Sequence, residues 1–147
     1  MATSICDKLR AGLITASAEE TQAVAAEFAR ALPPDSTLAL HGNLGVGKTT
    51  FVQGLARGLG VVEQVTSPTF NIFTLHRGPV RLLHLDAYRL ESDREIEDLL
   101  LEDFLVSPWC LAIEWPEKIA AWLPAGALHL DLGITPDQRH SIRLRSA

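Results

Sequence analysis

The sequence predicts a three-layer α/β fold with a mixed parallel and antiparallel central sheet. Three observations carry that prediction. An apolar run at residues 37–41 is followed by a helical pattern at 50–59, the order of a βα unit. Runs at 71–76 and 80–85 are separated only by Arg77-Gly78-Pro79, which reads as an antiparallel hairpin. Near the C-terminus Leu128, Leu130 and Leu132 alternate with His129 and Asp131, and Ile142 and Leu144 alternate with Arg143 and Arg145, suggesting two closing strands.

The remaining elements follow in chain order. Residues 1–14 are expected as a poorly ordered N-terminal extension of a single domain spanning 1–147. Ser17-Ala18-Glu19-Glu20 is a capping box, Ser17 being the N-cap and Glu20 reaching back. The helix it opens has Thr21, Val24, Ala25, Phe28 and Leu32 on one face and stops at Pro33-Pro34. Ser92-Asp93-Arg94-Glu95 has the same form and predicts a helix burying Ile96, Leu99, Leu100 and Phe104. Residues 109–113 read as a fully buried strand, and Pro116 suits the first turn of a short helix.

Composition narrows the class further. The chain has 147 residues, 47% hydrophobic and 21% charged, an ordinary globular balance. Its net charge of −5 argues against an extensive direct nucleic-acid face. Residues 1–10 contain Asp7, Lys8 and Arg10 without an apolar signal core, and no run has membrane-spanning length. Cys6 and Cys110 form no metal or redox spacing. A cytoplasmic protein without a membrane role is expected.

The most informative segment is Gly42-Asn43-Leu44-Gly45-Val46-Gly47-Lys48-Thr49, which fits G-x-x-x-x-G-K-[ST] between a strand and a helix. The glycines allow backbone N–H groups to turn toward a phosphate, and the helix N-terminus adds partial positive charge. Lys48 supplies a full charge and the Thr49 hydroxyl is a magnesium ligand of the right kind. Residues 42–49 together with Thr50 are therefore the expected nucleotide-binding segment, and the fold becomes a P-loop NTPase-like one.

Hydrolysis needs more than a phosphate cradle. Asp86 and Glu114 each end an apolar run, where a site in an open α/β sheet lies. Either fits the Walker-B-type acid. Turn chemistry is the alternative for Asp86, and a cap ahead of Pro116 the alternative for Glu114. Thr66-Ser67-Pro68-Thr69-Phe70 is either a switch-like loop over the phosphates or a plain Ser-Pro turn. Tyr88 and Arg89 put a phenol and a cation after Asp86, with a surface ion pair as the default for Arg89. Trp115 is core or packs over the site. His41, His76, His84, His129 and His140 show no ligand spacing and are read as core or surface residues.

Four blocks in order, residues 42–51, Ser-Pro-Thr-Phe at 67–70, His-Leu-Asp-Ala-Tyr-Arg-Leu at 84–90 and Ile-Glu-Trp-Pro-Glu at 113–117, make the chain resemble the TsaE (YjeE) family. The resemblance runs from about residue 15 to 135. It implies a small P-loop domain using ATP and Mg²⁺ in bacterial tRNA threonylcarbamoyladenosine (t6A) biosynthesis. The implied partner is the TsaB–TsaD heterodimer, which carries out the chemistry on adenosine 37 of tRNAs reading ANN codons, so tRNA is reached through the complex. By resemblance Lys48 goes to the phosphates, Thr49 and Glu114 to Mg²⁺, Asp86 to turnover, and Ser67 and Thr69 to the switch-like loop. Trp115 falls beside the nucleotide, and adenine contacts are expected near Ser17. Asn43 stands where the family pattern has an acidic residue, and Val46 where it has alanine; neither change removes a phosphate contact.

Two other functions fit the same motif. One is a small-molecule P-loop kinase, against which the chain has no arginine-rich lid segment. The other is a nucleotide-gated regulatory module without obligatory hydrolysis, against which two strand-end carboxylates count. A GTPase is disfavoured by the lack of an N-K-x-D-like motif.

Overall fold

Seven strands form one sheet in the order β1-β7-β6-β2-β5-β4-β3. The computed structural model describes residues 4–43, 45–62, 65 and 72–145. The strands are β1 (Leu13–Thr15), β2 (Ser36–His41), β3 (Phe73–His76), β4 (Arg81–Asp86), β5 (Trp109–Glu114), β6 (Leu128–Ile134) and β7 (His140–Leu144). β6, β2, β5 and β4 are parallel neighbours, while β1, β7 and β3 pair antiparallel. This is the mixed sheet expected, and the hairpin at β3–β4 and the closing pair β6–β7 take their places in it.

Alternation along the strands assigns the two faces. Leu38, Leu40, Leu82, Cys110, Ala112 and Leu130 join the core beneath helices α1 (Ile5–Ala11), α2 (Ala18–Ala31) and α3 (Lys48–Gly58). Leu83, Leu85, Leu111 and Ile113 face the other way, against Ile96 of α4 (Asp93–Asp98), Leu101 and Ile119. Helices, sheet and helices make the three layers.

α2 begins as its capping box predicts: the Glu20 N–H donates to Ser17 Oγ at 3.1 Å. The reciprocal bond reaches one residue further, from the Ala16 N–H to Glu20 Oε2 at 2.6 Å. α2 and α3 pack closely because Gly54 and Gly58 face α2. A methyl group there would lie 2.5 Å from the Gln22 carbonyl oxygen and 2.4 Å from that of Ala26.

Three expectations need correction. Residues 5–11 and 13–15 are not a loose extension: α1 buries Ile5 and Leu9, and β1 adds an edge strand against β7. The second capping box lacks its side-chain bonds; Ser92 holds the helix start through its main-chain oxygen, which accepts from the Glu95 N–H at 3.2 Å. Leu100 is exposed rather than buried, at 58%. α4 lasts only six residues, and Leu100 then turns left-handed at φ 53°, which rotates Leu101 into the core in its place.

Candidate functional site

The parallel strands bring three distant segments to one edge. β2 runs directly into the glycine loop, β4 ends at Asp86, and β5 ends at Glu114. Register completes the arrangement: Asp86 lies opposite Glu114, and Glu114 opposite Leu40, two residues before Gly42. Chain order runs from β2 out to the edge strand β3, returns through β4 and β5, then crosses to β6 on the other side of β2. A cleft at such a crossing is where α/β sheets take ligands.

The cleft has a volume of about 320 Å³ and is lined by Gly45, Gly47, Lys48, Thr49, Thr50, Asp86, Glu114 and Trp115. Gly42, Gly45 and Gly47 have φ of 150°, 85° and 95°, values that side-chain-bearing residues rarely adopt. At Gly42 there is no room either, since a Cβ would lie 2.6 Å from the Leu132 carbonyl oxygen. Gly47 is the N-cap of α3, so the helix opens toward the cleft without a capping side chain. Asn43 is exposed at the outer turn, while Val46 turns inward and joins the helix-side core. Leu44 lies outside the described residues.

Lys48 is buried, with Nζ donating to the Gly42 carbonyl oxygen at 2.8 Å and lying 3.8 Å from the centre of the Trp115 ring. Burial lowers its pKa from the ordinary lysine value, and the carboxylates of Glu114, Glu117 and Asp86 oppose that shift. The loop carbonyl and the indole thus hold the ammonium at the floor of the cleft.

The two acids are held differently. Asp86 is half-buried and its Oδ1 accepts from the Tyr88 N–H at 3.0 Å, so it caps a 3-10 turn and lines the cleft at once. Glu114 is buried and does not cap the turn at Pro116, whose N-cap is Trp115. Its Oε2 accepts instead from Nε2 of His84, at 2.5 Å. Trp115 is left-handed at φ 58°, which folds its ring over Lys48 and against Tyr88, with ring centroids 5.2 Å apart. Tyr88 is exposed and has Lys118 Nζ 5.6 Å above it; Arg89 is exposed and does not line the cleft.

Ser17 does not line the cleft, and its hydroxyl is used by Glu20. It stands two residues beyond Thr15, whose register partner His140 donates from Nδ1 to the Val46 carbonyl oxygen at 3.1 Å. Ser67 and Thr69 lie outside the described residues. Histidines carry most of what the sequence reading missed. His84 holds Glu114 and His140 braces the glycine loop. His41 shares a 2.8 Å hydrogen bond with His129 beside Asp131, which Arg145 grips through two bonds of 2.7 and 2.8 Å. No local pattern signals these contacts, because they span 30 residues for His84, 88 for His41 and 94 for His140.

The donor set fits a magnesium-bound polyphosphate. Glycines lining the cleft, a helix N-terminus and a buried ammonium suit phosphate oxygens, and a threonine hydroxyl beside two carboxylates suits a hard cation. Fold and cleft thus define an α/β protein with a P-loop-like fold. A family model described as "Threonylcarbamoyl adenosine biosynthesis protein TsaE" matches residues 15–142. The chain is 35% identical over 129 residues to the Treponema pallidum tRNA threonylcarbamoyladenosine biosynthesis protein TsaE, covering 88% of this chain and 96% of that one. It is 38% identical to the Bacillus subtilis protein of the same name (87% and 80% covered) and 46% to that of Streptomyces coelicolor (77% and 82%). The crystal structure of Bacillus subtilis YdiB superposes with a TM-score of 0.76 at 30% identity, covering 90% of this chain and 82% of that one. The chain belongs to the TsaE family.

Proposed function

We propose that this chain is an ATP-binding and ATP-hydrolysing subunit required for t6A modification of tRNA, acting on a TsaB–TsaD complex in the cytoplasm. The observation that carries the reading is one cleft lined by Lys48, Thr49, Asp86 and Glu114 in a member of the TsaE family. The names of its relatives support the pathway, being those of t6A biosynthesis proteins. Among the described residues no helix is long and apolar enough to cross a membrane.

In this reading residues 42–50 form the nucleotide-binding segment. The loop amides and Lys48 hold the phosphates, while Thr49 and Glu114 hold Mg²⁺. The cation would neutralise charge on the phosphate oxygens. Asp86, more open than Glu114, orients water for attack. Lys48 exchanges its bond to the Gly42 carbonyl for one to phosphate, and Trp115 closes over the site. Ser67 and Thr69 act as the switch-like loop, and the segment at Ser17 approaches the adenine. The isolated chain turns over slowly because a site completed by a partner is not preorganised alone.

The test reconstitutes threonylcarbamoylation with purified TsaB–TsaD, tRNA, an activated threonylcarbamoyl donor and this chain, counting modified tRNAs per complex. Many cycles should require the chain and ATP, with inorganic phosphate released. Lys48→Ala should lose affinity for ATP on the order of 10- to 100-fold, as expected when charge-assisted phosphate contacts go. Sustained cycling with a variant that binds ATP without hydrolysing it would favour the gated module, and phosphate transfer to a metabolite would favour the kinase.

A further inference from the structure

His84 is fully buried on β4, in the layer beneath α3, and its one described hydrogen bond is to Glu114. Its register partner across β5 is Ala112, two residues before Glu114 on the same face. A small residue there leaves space for the imidazole to reach along the strand to the carboxylate. Nδ1 is buried and has no hydrogen-bond partner among the described residues. An imidazole in an apolar layer costs free energy unless its polar atoms are used. The bond to Glu114 is what explains histidine at this position.

We propose that His84 is a positioning residue for Glu114, fixing Oε2 from Nε2 so that Oε1 is presented to the Thr49 side of the cleft. The proposal rests on the reading of Glu114 as a magnesium-holding group. A glutamate side chain has three rotatable bonds, and anchoring one oxygen removes most of that freedom before a ligand arrives. With the Glu114 carboxylate oxygen as acceptor, Nε2 is the donor of this bond. Among the described residues Asp86 has no such device; its Oδ1 is held by the Tyr88 N–H of its own turn. Glu114 is thus the preorganised acid of the two.

The experiment measures ADP affinity by calorimetry with and without Mg²⁺, so that turnover plays no part. His84→Leu should change affinity for ADP alone by less than about twofold, while the tightening brought by Mg²⁺ falls about 10-fold, the low end for loss of an outer-shell partner. His84→Gln, whose amide nitrogen reaches the Nε2 position, should recover that tightening to within about threefold. In a Glu114→Gln background His84→Leu should add nothing, since the pair acts as a unit. An unaltered magnesium effect in folded His84→Leu, or no recovery with His84→Gln, overturns the proposal. If the leucine variant does not fold, side-chain ¹⁵N NMR of the wild type decides: a protected Nε2 proton should shift with Mg²⁺ and ADP but hardly with ADP alone, and equal shifts overturn it. Wild-type protein showing no magnesium effect at all would remove the metal reading of Glu114 and this proposal together, whereas an intact wild-type effect with an unaltered variant removes this proposal alone.

Discussion

The glycine loop and the acid wall face each other across one cleft, yet they are built by opposite means. The loop is eight consecutive residues whose geometry is set by backbone: three glycines with positive φ and a helix start. The wall draws Asp86, Glu114 and Trp115 from two strand ends and orients them through a distant histidine, a local turn and a left-handed tryptophan. A contiguous motif can bring its own geometry, whereas a wall exists only once the sheet has set its register. The loop should therefore respond to changes of backbone, and the wall to changes of single polar atoms.

Breaking the loop should produce the largest effect. Gly42→Ala places a methyl 2.6 Å from the Leu132 carbonyl oxygen at a φ of 150°. It should cost on the order of 1–3 kcal/mol in strain alone, read from denaturant unfolding, and abolish measurable ATP binding. Near-wild-type stability would mean that the loop is less confined than its contacts indicate.

The acid wall should break more selectively. Glu114→Gln keeps shape and removes charge beside Lys48, so it should weaken Mg²⁺-dependent nucleotide binding about 10-fold or more. Asp86→Asn should lower turnover about 100-fold, the scale of a lost general-base contact, with affinity within a few fold. Equal effects of the two variants on affinity and rate would erase the distinction between a preorganised acid and an open one.

The smallest effect tests whether the loop depends on side chains outside the cleft. Asp131 lies in register with His41, the residue before Gly42, and its hydrogen bond from Arg145 holds its carboxyl below the usual range. Its stabilising contribution is present above the ordinary carboxylate pKa and disappears as pH falls through the lowered folded value. Asp131→Asn should therefore cost about 0.5 kcal/mol at neutral pH and nothing in acid, by thermal unfolding across pH, because the pair is largely exposed. ATP affinity should be unchanged; a large drop would tie the loop to this cluster.

Much of the fold was legible. The loop, α2 with its cap, the hairpin and the closing strands all follow from local pattern. Residues 5–15 escaped because a seven-residue helix and a three-residue strand are too short to show periodicity, and they are held by contacts with β7. Leu100 escaped because helical spacing was carried past a left-handed turn. In the cleft, both strand-end acids were found and turn chemistry at Asp86 was weighed, but the bond from His84 to Glu114 was not.

The amino-acid sequence alone determined the glycine loop and the helix start beside it, because glycine freedom, lysine charge and helix polarity act between neighbours in the chain. It also determined that two acids end apolar strands. Only the tertiary structure decided that Asp86 and Glu114 stand side by side, that His84 holds one of them, and that Trp115 lies over Lys48. Those relations depend on strand register and on contacts between residues far apart in the chain, 30 residues for His84 and Glu114, which no local propensity encodes.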